Sequence, residues 1–293
     1  MLLLTILFAS ISLGSFASIQ SSVSDSEIRT LVKKLRSEDV NKAGSRDIYV
    51  NFQKFISSRT PDSADNAPQK LFSRVSNSLL NQKTYKALLQ LFDNYIPQTG
   101  VAEVNTQAES EEIDDFLNAV TDTNVMESIR NFLRNKGYSY ANSKSSFRAH
   151  LKDLWFTSYS RQRGAQDTSA FEHIFVGEWK NGVQGLHNWL RFYQLENSGA
   201  IDYKGYVLKR GRIFGMIKFS WDREIKPSGS FFIGTSPEFD LGLFTLCFIS
   251  RPGYEACRFD VDGINFSVTS FDHYQNRKKV IGSIFASPDR NSG

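Results

Sequence analysis

The sequence has few cysteines and histidines, the side chains from which zinc sites are most often built. Its 293 residues include two cysteines and four histidines, and no two histidines have the spacing of a short zinc motif such as H-E-x-x-H. A G-x-S-x-G turn, a P-loop and a dinucleotide fingerprint are all absent. These absences argue against serine hydrolases, nucleotide hydrolases and dinucleotide-dependent enzymes.

Long apolar runs are also missing after the first residues of the chain. Residues 2–13 are apolar and are followed by Ser15 and Ala17, at the positions that a signal peptidase reads. We therefore expect residues 1–17 to be a cleaved secretory signal and the product to be secreted, soluble and monomeric. A short membrane anchor is the alternative interpretation, since the segment before the apolar run carries no basic side chain.

Secretion would place the two cysteines in an oxidising compartment. Cys247 and Cys257 are then expected to form a disulfide, on two strands of a hairpin, with a pair of buried free thiols as the alternative. Asn265 begins an Asn-Phe-Ser triplet, which predicts a glycosylation site.

Composition and patterning predict an α+β protein. The chain is 13% aromatic with 24 phenylalanines, which suggests strands, and its formal charge of +4 permits an anionic partner without requiring one.

Apolar spacing predicts helices over most of residues 25–157, including one long helix over 69–95 with a break near Gln82. Residues 48–55 read as a short helix or turn. Strands are predicted from residue 171 onward, including 243–250, with a hairpin at Asp262-Gly263. We expect a helical lobe over residues 18–160 and a catalytic lobe of antiparallel sheets over 161–290.

The segment HIFVGEWKNGVQGLHNW contains two histidines separated by thirteen residues, His173 and His187. His173 is predicted on a strand beside Glu172 and Glu178, which would favour its protonated form. His187 is predicted near the first turn of a helix, whose partial positive charge would keep it neutral. The pair could act as general acid and general base. Two alternatives remain: structural imidazoles, or a metal site formed by His173, Glu178 and His187.

Several blocks of the sequence resemble the EndoU family of uridylate-directed endoribonucleases. They are EHIFVGE, GLHNWLRFY, FSWD followed by Lys226, FFIGTSPEFDLGLFTLCFISRPG and KKVIGSIFASP, with DIYVNFQ and LWFTSYSR in the helical part. The resemblance implies Mn²⁺- or Ca²⁺-stimulated cleavage of single-stranded RNA at uridylates, which leaves a 2′,3′-cyclic phosphate. It also implies a catalytic trio of His173, His187 and Lys226. The metal's position is not implied.

Within this resemblance, His187 would take the 2′-hydroxyl proton, His173 would protonate the leaving 5′-oxygen, and Lys226 would neutralise charge at phosphorus. Glu172 and Glu178 are expected to orient or tune His173. Ser270 and Phe271 are the candidate base contacts, although Phe271 lacks the phenolic hydroxyl that the family pattern leads us to expect. A catalytically idle RNA-binding or extracellular interaction protein with the same fold is the alternative.

Three basic clusters are candidate phosphate contacts, with an ordinary solvated surface as the alternative. They are Arg161 with Arg163, then Lys209, Arg210 and Arg212, and finally Arg277, Lys278 and Lys279.

Overall fold

The structure is a computed structural model that describes residues 22–103, 106–161, 164, 166–275 and 278–289. The predicted signal peptide, Arg163 and Arg277 lie outside these residues. The helices are α1 (Asp25–Glu38), α2 (Asn77–Leu80), α3 (Lys83–Gln90), α4 (Gln107–Thr121), α5 (Asn124–Asn135), α6 (Lys144–Phe156), α7 (Trp189–Ser198) and α8 (Pro237–Ser250). The strands are β1 (Ile48–Val50), β2 (Phe72–Val75), β3 (Glu178–Trp179), β4 (Val183–Gln184), β5 (Ile201–Arg210), β6 (Phe214–Trp221), β7 (Glu224–Phe232), β8 (Cys257–Val261), β9 (Ile264–Gln275) and β10 (Lys278–Pro288).

The predicted α+β class is confirmed, with a helical N-terminal region followed by a sheet region. Helix α1 begins where its sequence indicates, because Ser24 and Glu27 form a reciprocal capping box. The break near Asp122 separates α4 from α5. Gly137 follows α5 in the left-handed conformation, as a C-terminal cap requires.

Two predictions in the N-terminal half are wrong. Residues 48–50 form strand β1, which pairs antiparallel with β2, where a short helix or turn was expected. The helix predicted over 69–95 is divided into β2, α2, α3 and a 3₁₀ turn at Leu91–Asp93. Ser76 and Gln82 are the N-caps of the two short helices, so the break expected near Gln82 is present.

Two three-stranded antiparallel sheets dominate the C-terminal half. Their strand orders are β5-β6-β7 and β10-β9-β8, and a two-stranded hairpin pairs β3 with β4. Asp262 and Gly263 connect β8 to β9, both with positive φ, so the predicted hairpin is confirmed. Strand β5 had not been predicted.

Helix α8 occupies 237–250, where a strand was predicted over 243–250. Almost every residue of α8 is buried, so its apolar residues show no 3.6-residue stripe. The missed signal is the Ser236 cap followed by Pro237 in the first turn. A continuous hydrophobic core includes residues from both predicted lobes.

Cys247 and Cys257 are bonded, as predicted, but not across a hairpin. Cys247 is in α8 and Cys257 begins β8, so the bond ties the buried helix to a sheet. Within the described part of the chain, none of the helices has the length and apolarity that crossing a membrane requires.

Replacing both cysteines with alanine should lower the free energy of unfolding by about 2–4 kcal/mol, because the unfolded chain loses a loop constraint. Urea denaturation of the variant and of unreduced wild type would measure the difference. Wild-type protein that showed two free thiols after unfolding without a reductant would contradict the expected bond.

Candidate active site

His173 lies on a π-helical turn at Glu172–Val176 rather than on the predicted strand. All five residues of this turn are buried, so the sequence lacks the alternation that separates a strand from a helix. The His173 Nδ1 atom is 2.6 Å from Glu178 Oε1, and its Nε2 atom is 3.2 Å from Ser283 Oγ. An ionised Glu178 accepts a hydrogen bond from Nδ1–H, which leaves Nε2 as the reactive nitrogen.

His187 directly precedes Asn188, the N-cap of α7, whose side chain accepts from the amides of Leu190 and Arg191. The histidine is therefore just outside the helix in which it was predicted. Its Nδ1–H donates to the carbonyl oxygen of Ser230 at 2.8 Å. This bond fixes the tautomer and leaves Nε2 as an acceptor, which is the form a general base requires.

Backbone hydrogen bonds hold the two histidine segments together. The amide of Leu186 donates to the His173 carbonyl at 2.9 Å, and the amide of His187 donates to the Ile174 carbonyl at 2.7 Å. Gly185 has φ +60°, and a Cβ there would lie 1.6 Å from the His173 carbonyl oxygen. Only glycine permits this approach. The short connection between the histidines thus places both beside the same cavity.

The cavity has a volume of about 360 Å³ and also receives Lys226 from β7. Its lining comprises His173, Gln184, Gly185, His187, Met216, Lys226, Ser228, Ser230, Ser283, Phe285, Ala286 and Ser287. Four strands, β4, β6, β7 and β10, from three different sheets thereby complete a site that begins with the π-helical turn. The structure brings together the three residues predicted as a catalytic trio.

Burial and mutual repulsion set the charges of these three groups. Burial, followed by the positive charge of Lys226, lowers the pKa of His187 to about 3, so its imidazole is neutral. The neutral state was expected, but its main cause is burial rather than the helix terminus. Burial also lowers the pKa of the half-buried Lys226, to about 8, against the opposing effect of Glu178.

For His173, burial outweighs the carboxylate beside it. Burial lowers its pKa from the ordinary value of 6.5, although the Glu178 hydrogen bond raises it. The expectation that neighbouring glutamates dominate its protonation is therefore wrong for the protein without substrate. The His173 hydrogen bond and the Arg161 charge hold the pKa of Glu178 below its ordinary value despite burial.

The partly buried Arg161 side chain makes three polar contacts within the protein. Its Nε atom is 2.9 Å from Glu178 Oε1, and its Nη2 donates to Tyr159 Oη at 2.9 Å and to the Gly282 carbonyl at 2.6 Å. The guanidinium thus fixes the carboxylate that contacts His173. The predicted phosphate contact by Arg161 remains a prediction.

Glu172 does not reach the His173 side chain. Its carboxylate lines a separate cavity of about 20 Å³ with Tyr95, Glu103 and Glu109. Neither Glu172 carboxylate oxygen has a hydrogen-bond partner among the described residues. Burial, followed by the charges of Glu178 and Glu103, raises its pKa to about 10, so Glu172 is a neutral acid. The predicted supporting contact to His173 is not present.

The predicted base contacts lie one strand away from the cavity lining. Ser270 is buried on β9, and Phe271 packs edge-on against Tyr254 and at 6.0 Å from the Phe285 ring. The neighbouring strand β10 instead places Ser283 and Phe285 in the cavity. The missed signal is the Ser-x-Phe pattern of GSIFASP, whose two residues share one face of a strand.

The resemblance implies stimulation by Mn²⁺ or Ca²⁺, but the described residues do not form a coordination site for either ion. No group of three or more His, Cys, Asp or Glu side chains there is arranged to hold a metal ion. The Glu103 and Glu109 carboxylates already accept from the amides of Ile96 and Thr106. The large cavity offers two imidazoles and an ammonium, whereas these ions prefer oxygen ligands. The metal alternative for His173, Glu178 and His187 is thus not supported.

Asn265 is exposed at the start of β9, and its Oδ1 accepts from Arg29 at 3.4 Å. Its glycosylation stays a prediction.

Two neutral imidazoles with anchored Nδ1 atoms, and an ammonium beside them, form a site for proton transfer without a protein nucleophile. The chain belongs to the family described as Endoribonuclease XendoU, whose sequence profile matches residues 27–286. The resemblance to the EndoU family is thereby confirmed.

Individual relatives cover most of the chain. It is 37% identical over 278 residues to Uridylate-specific endoribonuclease C of Xenopus laevis, covering 91% of each protein. It is also 37% identical to Uridylate-specific endoribonuclease of Bos taurus, covering 92% of this chain and 67% of the bovine protein. A solved structure of XendoU, described as a splicing independent snoRNA processing endoribonuclease, superposes with a TM-score of 0.75 at 32% identity. The match covers 89% of this chain and 97% of that one.

Glu172→Gln should stabilise the protein at neutral pH. Because the pKa of Glu172 is raised to about 10 on folding, wild type loses stability as pH rises from about 4.5 toward 10. The glutamine variant avoids this cost, so its free energy of unfolding should exceed that of wild type by about 1–3 kcal/mol near pH 7. The difference should vanish near pH 4 in urea titrations.

Glu178→Gln is the matched control, since the pKa of Glu178 is lowered on folding. It should destabilise the protein at neutral pH. A Glu172→Gln variant less stable than wild type at neutral pH would contradict a neutral Glu172 and would indicate a bound positive partner.

Proposed function

We propose that this protein is a uridylate-directed endoribonuclease that cleaves single-stranded RNA by attack of the 2′-oxygen on the adjacent phosphorus. The observation that carries the proposal is the pair of imidazoles in one cavity, each with Nδ1 held by a protein acceptor. Family membership and the names of the relatives support RNA as substrate and uridylate as the preferred site. RNA carries its own nucleophile, so the site needs no activated serine or cysteine.

In the first proton transfer, His187 Nε2 takes the proton of the 2′-hydroxyl. The Ser230 carbonyl accepts from Nδ1–H and stabilises the imidazolium that forms. The low pKa of His187 in the free protein reflects burial and Lys226. An entering phosphate supplies negative charge, which raises the pKa of His187 toward the range useful for a base.

His173 is the general acid because its Nδ1–H already donates to a carboxylate. Glu178 favours the charged imidazolium, and the substrate phosphate adds further negative charge. As the bond from the 2′-oxygen to phosphorus forms, the bond from phosphorus to the 5′-oxygen breaks, and His173 Nε2 delivers its proton to that oxygen. The products are a 2′,3′-cyclic phosphate and a 5′-hydroxyl.

Lys226 stabilises the negative charge that develops on the phosphoryl oxygens. It lines the same cavity as the two histidines, and its positive charge lowers the pKa of both. Glu178 and Arg161 act through His173, as positioning residues.

The base subsite of this proposal lies on β10 and β7. Phe285 offers a ring face for stacking, and its ring is 5.7 Å from that of His187. Ser228, Ser230 and Ser283 bring hydroxyl groups to the same cavity, suited to the polar edge of a pyrimidine. Phe285 has no phenolic hydroxyl, so uridine selection depends on these serines.

Secretion and stimulation by Mn²⁺ or Ca²⁺ complete the proposal. The Cys247–Cys257 bond supports an oxidising compartment, and the apolar N-terminal run supports export. The proposed mechanism routes no step through a metal.

His187→Ala and His173→Ala should each lower the cleavage rate of a single-uridine oligonucleotide by about 10²–10⁴-fold, because each removes one proton transfer. His150→Ala is the matched control, since that ring stacks on Tyr140 away from the cavity. Mass spectrometry of the products should show a cyclic phosphate in wild type, with rates compared in chelator, Mn²⁺ and Ca²⁺. Intact RNA with folded wild type under every condition would leave an idle RNA-binding protein as the better description.

Phe285→Leu should lower kcat/KM on uridine substrates by about tenfold, since stacking on one base contributes roughly 1–3 kcal/mol. Phe271→Leu is the matched control, because its ring packs behind Phe285 and does not line the cavity. Equal losses in both variants would show that packing, not base contact, is responsible.

A further inference from the structure

Two of the exposed large aromatic side chains lie near the β5–β6 turn, outside the catalytic cavity. Tyr49 on β1 and Phe55 on the following loop are each 57% exposed. Exposed aromatic rings are costly to leave in water without a partner, so a pair beside one turn calls for an explanation.

The two rings belong to a row of three aromatic rings and two cations. Phe55 contacts Tyr206 edge-on at 6.0 Å, and Lys209 Nζ lies 4.8 Å from the centre of the Tyr206 ring. Across the turn, Arg212 Cζ lies 5.7 Å from the centre of the Tyr49 ring. We name Phe55, Tyr206, Lys209, Arg212 and Tyr49 the aromatic–basic row.

The two cations of the row have no acidic partner. In the part of the chain that the structure covers, no carboxylate lies within 4 Å of Lys209 or Arg212, whereas Lys34 and Lys83 pair with Glu38 and Asp122. The Lys209 and Arg212 side chains are both exposed. The row therefore presents positive charge that the protein itself does not neutralise.

The row lies on the face of the β5-β6-β7 sheet opposite the catalytic cavity. Successive residues of a strand point to opposite faces of its sheet. On β6, Met216 lines the cavity, whereas a side chain at the neighbouring Gly215 would point at the Phe52 ring. Lys209 pairs with Gly215 across the sheet and also lies 5.3 Å from the Phe52 ring. Strand β5 is the last strand of this sheet, and the backbone of residues 54–56 pairs with its outer edge at Tyr206, which places Phe55 in the row.

We propose that the aromatic–basic row binds single-stranded RNA outside the catalytic cavity, so that long substrates are held at two places. Unpaired cations attract phosphates, and exposed rings stack on unpaired bases without sequence preference. An anionic lipid surface would share the charge attraction, but insertion favours a contiguous apolar face, which three rings, two of them tyrosines, with two cations beside them do not provide. This inference rests on the proposed function, since RNA is the substrate in both.

The test compares two double variants, Tyr49→Ala/Phe55→Ala and Lys209→Gln/Arg212→Gln, on a short and a long substrate. On a single-stranded oligonucleotide of about twenty residues, each should raise KM about five- to tenfold with kcat unchanged. On a uridine-containing dinucleotide, which cannot span both places, kcat/KM should stay at the wild-type value. Lys34→Gln/Lys83→Gln is the matched control, because it removes the same charge from paired lysines.

RNA binding is measured separately by fluorescence anisotropy in a His187→Ala background. The Lys209→Gln/Arg212→Gln change should reduce the slope of log K against log salt by about 1.4, from two lost phosphate contacts. Loss of this binding, together with a folded protein that cleaves no RNA when His187 is intact, would support the row and contradict the proposed catalysis. Unchanged KM and unchanged binding in both double variants would overturn the row, whatever the activity. Loss of binding to phosphatidylserine-rich vesicles with RNA binding intact would also overturn it, in favour of a membrane surface.

Discussion

The site depends on one backbone contact, the pair of hydrogen bonds that joins residues 173–174 to residues 186–187. A glycine at 185 is required for it, because any side chain would overlap the His173 carbonyl oxygen. This contact places both imidazoles beside the same cavity. It fixes one imidazole on a π-helical turn and the other at the entry to α7, and it leaves the space between them open to Lys226 and the serines of β7 and β10.

A second constraint is electrostatic and follows from the burial of the two histidine side chains. Both histidines are buried, so each is neutral unless a negative group faces it. The protein supplies one such group to His173, through Glu178, and only a carbonyl to His187. In the proposed mechanism, this asymmetry divides the roles of acid and base, and the substrate phosphate supplies the remaining charge. The His173 hydrogen bond and the Arg161 charge keep Glu178 ionised despite its burial.

The parts of this arrangement that the sequence predicts are those encoded locally. Helix α1 is readable from its apolar stripe and the cap at Ser24, and the three residues of the proposed trio can be located from the motifs that surround each of them. The π-helical turn and α8 were misread because burial on all sides removes the periodicity that distinguishes helix from strand. The place of Phe285 in the cavity and the contact of Arg161 with Glu178 were not predicted, because they depend on which strands pair, and sequence spacing does not contain that information.

The central claim, that His187 is held neutral with its proton on Nδ1, can be tested by nitrogen NMR of the histidine rings. With ¹⁵N-histidine in the whole protein, His187 should keep a protonated Nδ1 and a bare Nε2 from about pH 5 to 8, because burial and Lys226 lower its pKa to about 3. A His187 ring that titrates near the ordinary value of 6.5, or that carries its neutral-state proton on Nε2, would contradict the account.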